Sequence, residues 1–252
     1  MKILLTNDDG ILAEGLIALH DELKDDFELT VVAPETEMSA VGHAITLSNP
    51  LRVKRIKRNG AFFGYGISGT PADCVKIALQ EILKQKPDMI LSGINMGSNV
   101  GINILYSGTA SAATEGAFLG VPSVAISLNK KGRPDFSFPA RFSRRIIKFV
   151  TENGLREGTA LNVNIPAAPE NKIKGISFTV QDLVRQRDKY ERRSDPRGNV
   201  YYWLASEKPI EESMPNTDLK ALKENWITIT PITFDLTDHK EKERLSSIDF
   251  DL

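Results

Sequence analysis

The sequence predicts an α/β fold: a doubly wound, mostly parallel sheet followed by a C-terminal α+β extension. Three observations lead there. Lys2 to Thr6 is a short, nearly unbroken apolar run, the kind of strand buried on both faces of a parallel sheet. Strand-like and helix-like segments then alternate as far as Asn153, as successive βαβ units do. Beyond Asn162 the alternation gives way to strand candidates and a charged stretch from Arg185 to Arg197. The expected organisation is an α/β core over residues 1–160 and an extension over 161–252.

After the first strand, Leu12, Leu16, Leu19 and Leu23 recur at helical spacing, and Glu28 to Ala33 reads as a second strand. Asn59-Gly60 separates Leu51 to Lys57 from Ala61 to Tyr65. Both residues tolerate positive φ, so a hairpin is expected, decorating the core. Thr70-Pro71-Ala72-Asp73 combines a capping hydroxyl, a proline at the first helical position and an acid three residues on, which predicts a helix to about Leu83. Met89 to Ser92 reads as a strand, Gly108 to Gly120 as a helix of small residues, Ser123 to Ser127 as a strand and Ala140 to Asn153 as a helix. Trp226 to Thr230 closes the strand pattern.

The 252 residues carry 33 acidic and 32 basic side chains, for a net charge of −1, and 41% are apolar. Such a balance suggests neither disorder nor a polyanion-binding chain, so a nucleic-acid partner is not motivated. Cys74 is the single cysteine, and the three histidines, His20, His43 and His239, are scattered. A thiolate cage or a multi-histidine zinc site is therefore not expected, and a metal would be held mainly by oxygen. Met1 to Gly10 lacks a signal-peptide apolar region, and no stretch approaches the roughly 18 apolar residues of a membrane span. A reducing cytoplasmic location is the expectation.

Ligands of open parallel sheets collect beyond the carboxyl ends of the strands. The loops there carry Asn7-Asp8-Asp9-Gly10, Pro34 through Ser39, Gly93-Ile94-Asn95 and the segment entering the Gly108 helix. Paired carboxylates, an amide and a hydroxyl are hard oxygen donors suited to magnesium, manganese or calcium. A simple turn also accounts for Asp9-Gly10, although a helical pattern follows it and not the strand a tight hairpin needs. Tyr106-Ser107-Gly108-Thr109-Ala110-Ser111 offers hydroxyls and unhindered amides at a helix start, where an anion such as phosphate is favoured. Close helix packing explains the same small residues. An acidic metal site beside an anion site suggests phosphoryl chemistry.

Gly64-Tyr65-Gly66-Ile67-Ser68-Gly69 matches the dinucleotide fingerprint literally, but it falls at the hairpin and not after the first strand. A dinucleotide-dependent oxidoreductase and a nucleotide-binding sensor without turnover are the competing functions. The acid pair also fits phosphoryl-receiving signalling domains, yet Ser92-Gly93-Ile94-Asn95 offers no aspartate to phosphorylate. His43 is a candidate proton donor or a structural histidine, and Cys74 is expected in the core. Arg185 to Arg193 mixes basic, acidic and aromatic residues, which favours a solvated or subunit-contacting arm over a contact to nucleotides or RNA. The consecutive aromatics Tyr201, Tyr202 and Trp203 point to the same arm, since alternation cannot bury all three on one face.

Taken in order, Asn7-Asp8-Asp9-Gly10, Ala33-Pro34 with Ser39, Gly69-Thr70-Pro71-Ala72-Asp73-Cys74-Val75, Ser92-Gly93-Ile94-Asn95, Tyr106-Ser107-Gly108-Thr109, Leu161-Asn162-Val163-Asn164, Thr230-Pro231 and Asp235-Leu236-Thr237 resemble the SurE survival-protein family. The resemblance covers almost the whole chain. It implies a SurE-like fold and a divalent-metal-dependent nucleoside monophosphate phosphatase, a 5′-nucleotidase, with Mg or Mn as the single ion. It places the metal ligands on Asp8, Asp9, Ser39 and Asn95, the phosphate contacts on Ser107, Gly108 and Thr109, and catalysis on Asp8, Asp9 and Ser107. Direct attack by water and an Asp8 aspartyl-phosphate both remain open. Family members form dimers and tetramers through an extended hairpin and C-terminal exchange, so a homodimer or homotetramer is implied. Glu35 and Ala110 depart from the usual aspartate and valine, and neither is a matched ligand.

Overall fold

Strand β1 (Lys2–Thr6) lies near the centre of the main sheet in a computed structural model that describes residues 1–129, 132–184, 186–209 and 213–248. Its side chains alternate between two cores, as the two-residue period of a strand requires. Ile3 and Leu5 join Leu16, Leu19, Ile126 and Ile146 on one face, and Leu4 joins Val32, Val75, Ile90 and Ala112 on the other. Burial on both faces is why β1 has no polar alternation.

Helix α1 (Glu14–Leu23) leads to β2 (Glu28–Pro34), which pairs parallel with β1. Leu12, counted in the helical stripe, precedes α1 and is exposed. The hairpin β3 (Val53–Arg58) and β4 (Ala61–Ile67) turns at Asn59 and Gly60, both with positive φ. It does more than decorate the core: β4 pairs parallel with β2 and extends the main sheet. The fingerprint glycines serve that pairing, because a Cβ on Gly64 would lie 2.6 Å from Val31.

Helix α2 (Pro71–Ile77) begins with a reciprocal cap between Thr70 and Asp73 and continues as a π-helical turn to Ile82. Then come β5 (Met89–Met96), α3 (Gly108–Phe118), β6 (Ser123–Leu128), α4 (Ser137–Asn153) and β7 (Thr159–Ile165). Strand β5 runs past Ser92 through Gly93-Ile94-Asn95, read above as a loop, with a register irregularity against β6 at that point. Gly93 has a φ of +138° and no room for a Cβ, which would sit 2.3 Å from the Ile126 carbonyl oxygen.

The C-terminal part supplies β8 (Gly175–Phe178), the hairpin β9 (Gln186–Ser194) and β10 (Val200–Pro209), then α5 (Asp218–Lys223), β11 (Trp226–Thr233) and α6 (His239–Ser246). Among the described residues nine strands form the main sheet in the order β3, β4, β2, β1, β5, β6, β7, β11, β8, and β9 with β10 stands apart from it. Strand β11 runs antiparallel to β7 and parallel to β8. Arg185, which falls within the arm expected over Asp182 to Leu204, lies outside the described residues.

The strand order positions the site. β2 lies on one side of β1 and β5 on the other, so the chain reverses its direction of travel across the sheet between β1 and β5. Such a switch point opens a crevice beyond the carboxyl ends of the two strands, where ligands of doubly wound sheets bind.

Candidate metal and phosphate site

Asn7-Asp8-Asp9-Gly10 leaves β1 at that crevice. The buried Asn7 amide donates to the Gly10 carbonyl at 2.9 Å, and Gly10 turns the chain with a φ of +104°. The Ile11 amide then bonds Pro34 O at the end of β2, and the Met38 amide bonds Asp8 O at 2.7 Å. The segment is thus a turn, and a turn that fixes two adjacent carboxylates over the crevice.

Asp8 is 6% exposed. The Thr109 hydroxyl donates to its Oδ1 at 2.5 Å. A Cβ on Gly108 would lie 2.7 Å from Asp8 Cβ and 3.0 Å from Oδ2, so the first turn of α3 approaches Asp8 as closely as only glycine permits. Burial pushes the Asp8 carboxyl above its ordinary range, partly offset by the Thr109 hydrogen bonds. Burial and the neighbouring Asp8 charge push Asp9 up to about 6, against the opposing Met96 amide. Both carboxyls are held where the charged form is costly and a cation would stabilise it.

A cavity of about 730 Å³ opens over this turn. It is lined by Asp8, Asp9, Glu37, Ser39, Asn95 and Ser107, by Ser98, Asn99 and Asn103, and by Ile102, Tyr106, Tyr190 and Leu204. The Ser39 hydroxyl donates to Glu37 Oε1 at 2.5 Å. The Asn95 amide nitrogen donates to the Gly97 carbonyl at 2.8 Å, and among the described residues no donor reaches its Oδ1. Ser107 caps α3, its oxygen accepting from the Ala110 amide at 3.0 Å. The structure therefore brings Asp8, Asp9, Ser39, Asn95 and Ser107 to one cavity, with Gly108 against the back of Asp8. Thr109 is fully buried and meets Asp8 directly.

Glu37 escaped the sequence reading, although it stands in the loop after β2 two residues before Ser39; its charge helps raise both Asp8 and Asp9. His43 lies elsewhere. Its Nε2 pairs with Glu115 Oε2 at 2.8 Å, and Lys76 holds the other oxygen at 3.0 Å. Burial opposes the Glu115 charge, but these two partners outweigh it and hold the carboxyl below its usual range. Cys74 is buried in the core.

No lysine, arginine or histidine lines the cavity among the described residues, whereas three carboxylates do. Within the same residues no three His, Cys, Asp or Glu side chains converge as an all-ionisable metal site. Hydroxyl and amide oxygens from Ser39 and Asn95 would complete a donor set around Asp8 and Asp9, and such hard donors fit a divalent cation.

Residues 3–188 match the family model described as Survival protein SurE. The chain belongs to the SurE family. A protein named 5′-nucleotidase SurE from Syntrophobacter fumaroxidans is 50% identical over 240 residues, covering 95% of this chain and 96% of that one. A second, of the same name, from Syntrophus aciditrophicus is 50% identical over 249 residues, 98% of this chain and 94% of its own length. The crystal structure of the SurE protein from Aquifex aeolicus superposes with a TM-score of 0.85 at 38% identity and 98% coverage of both chains. Of the motif residues quoted above, Asp8, Asp9, Ser39, Asn95, Tyr106 and Ser107 line this one cavity, reaching it from β1, β2, β5 and the start of α3.

Proposed function

We propose that this SurE chain is a metal-dependent phosphatase that hydrolyses nucleoside monophosphates to nucleoside and phosphate, a 5′-nucleotidase, with one Mg or Mn ion held by Asp8, Asp9, Ser39 and Asn95. One observation carries the reading: a cavity lined by three carboxylates and no basic side chain among the described residues lies against the first turn of an 11-residue helix. Such a cavity repels a phosphate unless a cation is present, and with one it becomes a phosphate site. When bound, a divalent ion supplies Lewis-acid polarisation of a phosphoryl oxygen and a more acidic water.

The residues of the chain do the rest. The Ser107 hydroxyl, at the start of α3, and the Gly108 amide orient the phosphate oxygens, aided by the helix dipole. Thr109 holds the Asp8 carboxylate in one orientation, as the outer partners of metal ligands do. Burial of Asp8 keeps bulk water from its inner face. The name shared by the Syntrophobacter and Syntrophus relatives supports the same activity.

The proposal extends to organisation. Residues 1–160 act as the catalytic core and 161–252 as an extension whose hairpin joins a homodimer or homotetramer in the cytoplasm. Supporting the arm, Tyr202 and Leu204 stand on one face of the hairpin and Tyr201 and Trp203 on the other, all of them exposed. No helix of the described residues is long and apolar enough to cross a membrane. Phosphate release measured across a panel of nucleoside monophosphates, with and without added metal, tests the activity; release from none of them would refute it.

A further inference from the structure

Tyr190 and Leu204 are cross-strand partners on β9 and β10, and both line the cavity that holds Asp8 and Asp9. Tyr190 is 62% exposed. Cross-strand partners share a face of a hairpin, so the neighbouring pair Glu191 and Trp203 belongs to the opposite face. The root of the hairpin is fastened to the same cavity. The Asp182 amide donates to Asp218 Oδ1 at 2.9 Å, and the other Asp218 oxygen accepts from the Gly101 amide at 2.9 Å. Gly101 opens the 3-10 turn Gly101–Tyr106, which carries Ile102 and Tyr106 into the cavity wall. One buried carboxylate thus ties the arm and the far wall together.

The cavity lining is chemically mixed. Carboxylates and hydroxyls share the lining with the amides of Asn95, Asn99 and Asn103 and with the apolar and aromatic side chains of Tyr190, Leu204, Ile102 and Tyr106. A ligand with a phosphate at one end and a flat, weakly polar ring at the other matches such a lining. We infer that Tyr190, backed by Leu204, is the base subsite: the nucleobase stacks on the Tyr190 ring while the phosphate lies against Ser107. This rests on the phosphatase proposal and adds what that proposal leaves open, the group that recognises the base. Stacking depends on overlapping area, so purine monophosphates are the favoured class.

The test compares adenosine 5′-monophosphate with ribose 5-phosphate, which lacks a base, in the full-length protein with Mn. Tyr190→Ala lowers the ratio of their kcat/KM values by about ten-fold, through KM, as loss of a base-stacking ring does. Tyr190→Phe restores the ratio, since the ring and not the hydroxyl is used. Adenosine affinity, measured by calorimetry, falls with Tyr190→Ala independently of turnover. An unchanged ratio together with unchanged adenosine affinity overturns the subsite, as does an equal loss on both substrates, which marks a structural role. Wild-type protein that releases phosphate from neither substrate overturns the phosphatase proposal instead, and adenosine affinity then still decides for or against Tyr190.

Discussion

The hydroxyl of Thr109 donates to Oδ1 of Asp8 at 2.5 Å across 101 residues of sequence, inside the protein and out of reach of solvent. The bond joins the start of α3 to the end of β1 and fixes which way the Asp8 carboxylate faces. Thr109→Val keeps the shape and removes the donor. Partners that orient a metal ligand are worth roughly 10- to 100-fold in affinity or activity. Mn affinity by calorimetry should fall by that order, and Thr109→Ser should recover most of it.

Gly108→Ala should be more damaging than its size suggests. The added methyl would stand 2.7 Å from Asp8 Cβ and 3.0 Å from Pro71 Cγ, so α3 must shift away from β1. Overpacking of this kind costs about 1–3 kcal/mol. A lowered Tm accompanied by a loss of phosphate release larger than that of Thr109→Val is the expected result.

Ser107→Ala removes a cap and, on the proposed function, a phosphate contact. The cap is worth about 1 kcal/mol of stability, whereas a transition-state donor is worth on the order of 10²-fold in rate. The variant should therefore remain folded by thermal melt and lose turnover out of proportion to its Tm.

Asp9 predicts a pH dependence with a definite sign. Its carboxyl is pushed up to about 6 in the folded chain from an ordinary value of 3.8. Between those values the folded protein binds a proton that the unfolded chain has released, so this group's contribution falls as pH rises through 6. Metal-free protein should gain Tm from this site on acidification from pH 7 to 5, and Asp9→Asn should flatten that gain. Because metal and proton compete for the same oxygens, Mn affinity should fall below about pH 6.

How much of this was legible in the sequence depended on whether a feature is local. Asp8 and Asp9 stood out because adjacent carboxylates after a buried strand break the usual economy of charge, and the Thr70–Asp73 cap and the Asn59-Gly60 turn follow from short-range geometry. The parallel pairing of β4 with β2 was not legible, since hairpin chemistry does not say which neighbour the hairpin joins. Thr109 resembled one more hydroxyl of an anion-binding helix start. That it meets Asp8 follows only from the packing of α3 against β1 and α2. Glu37 was hidden for the same reason, and Tyr190, weighed with its neighbours as a nucleotide contact, gave way to the arm reading; each lines the cavity from an element whose position is set by tertiary structure.

The central claim is that the Asp8–Asp9 cavity releases phosphate from nucleoside monophosphates only with a divalent cation in place. Its most direct measurement is phosphate release by purified protein stripped with a chelator, then resupplied with Mg or Mn, beside Asp8→Asn treated alike. The expected result is no release from the stripped wild type, recovery on adding metal, and no recovery in Asp8→Asn. Full turnover in excess chelator, or wild-type rates from Asp8→Asn, would contradict it.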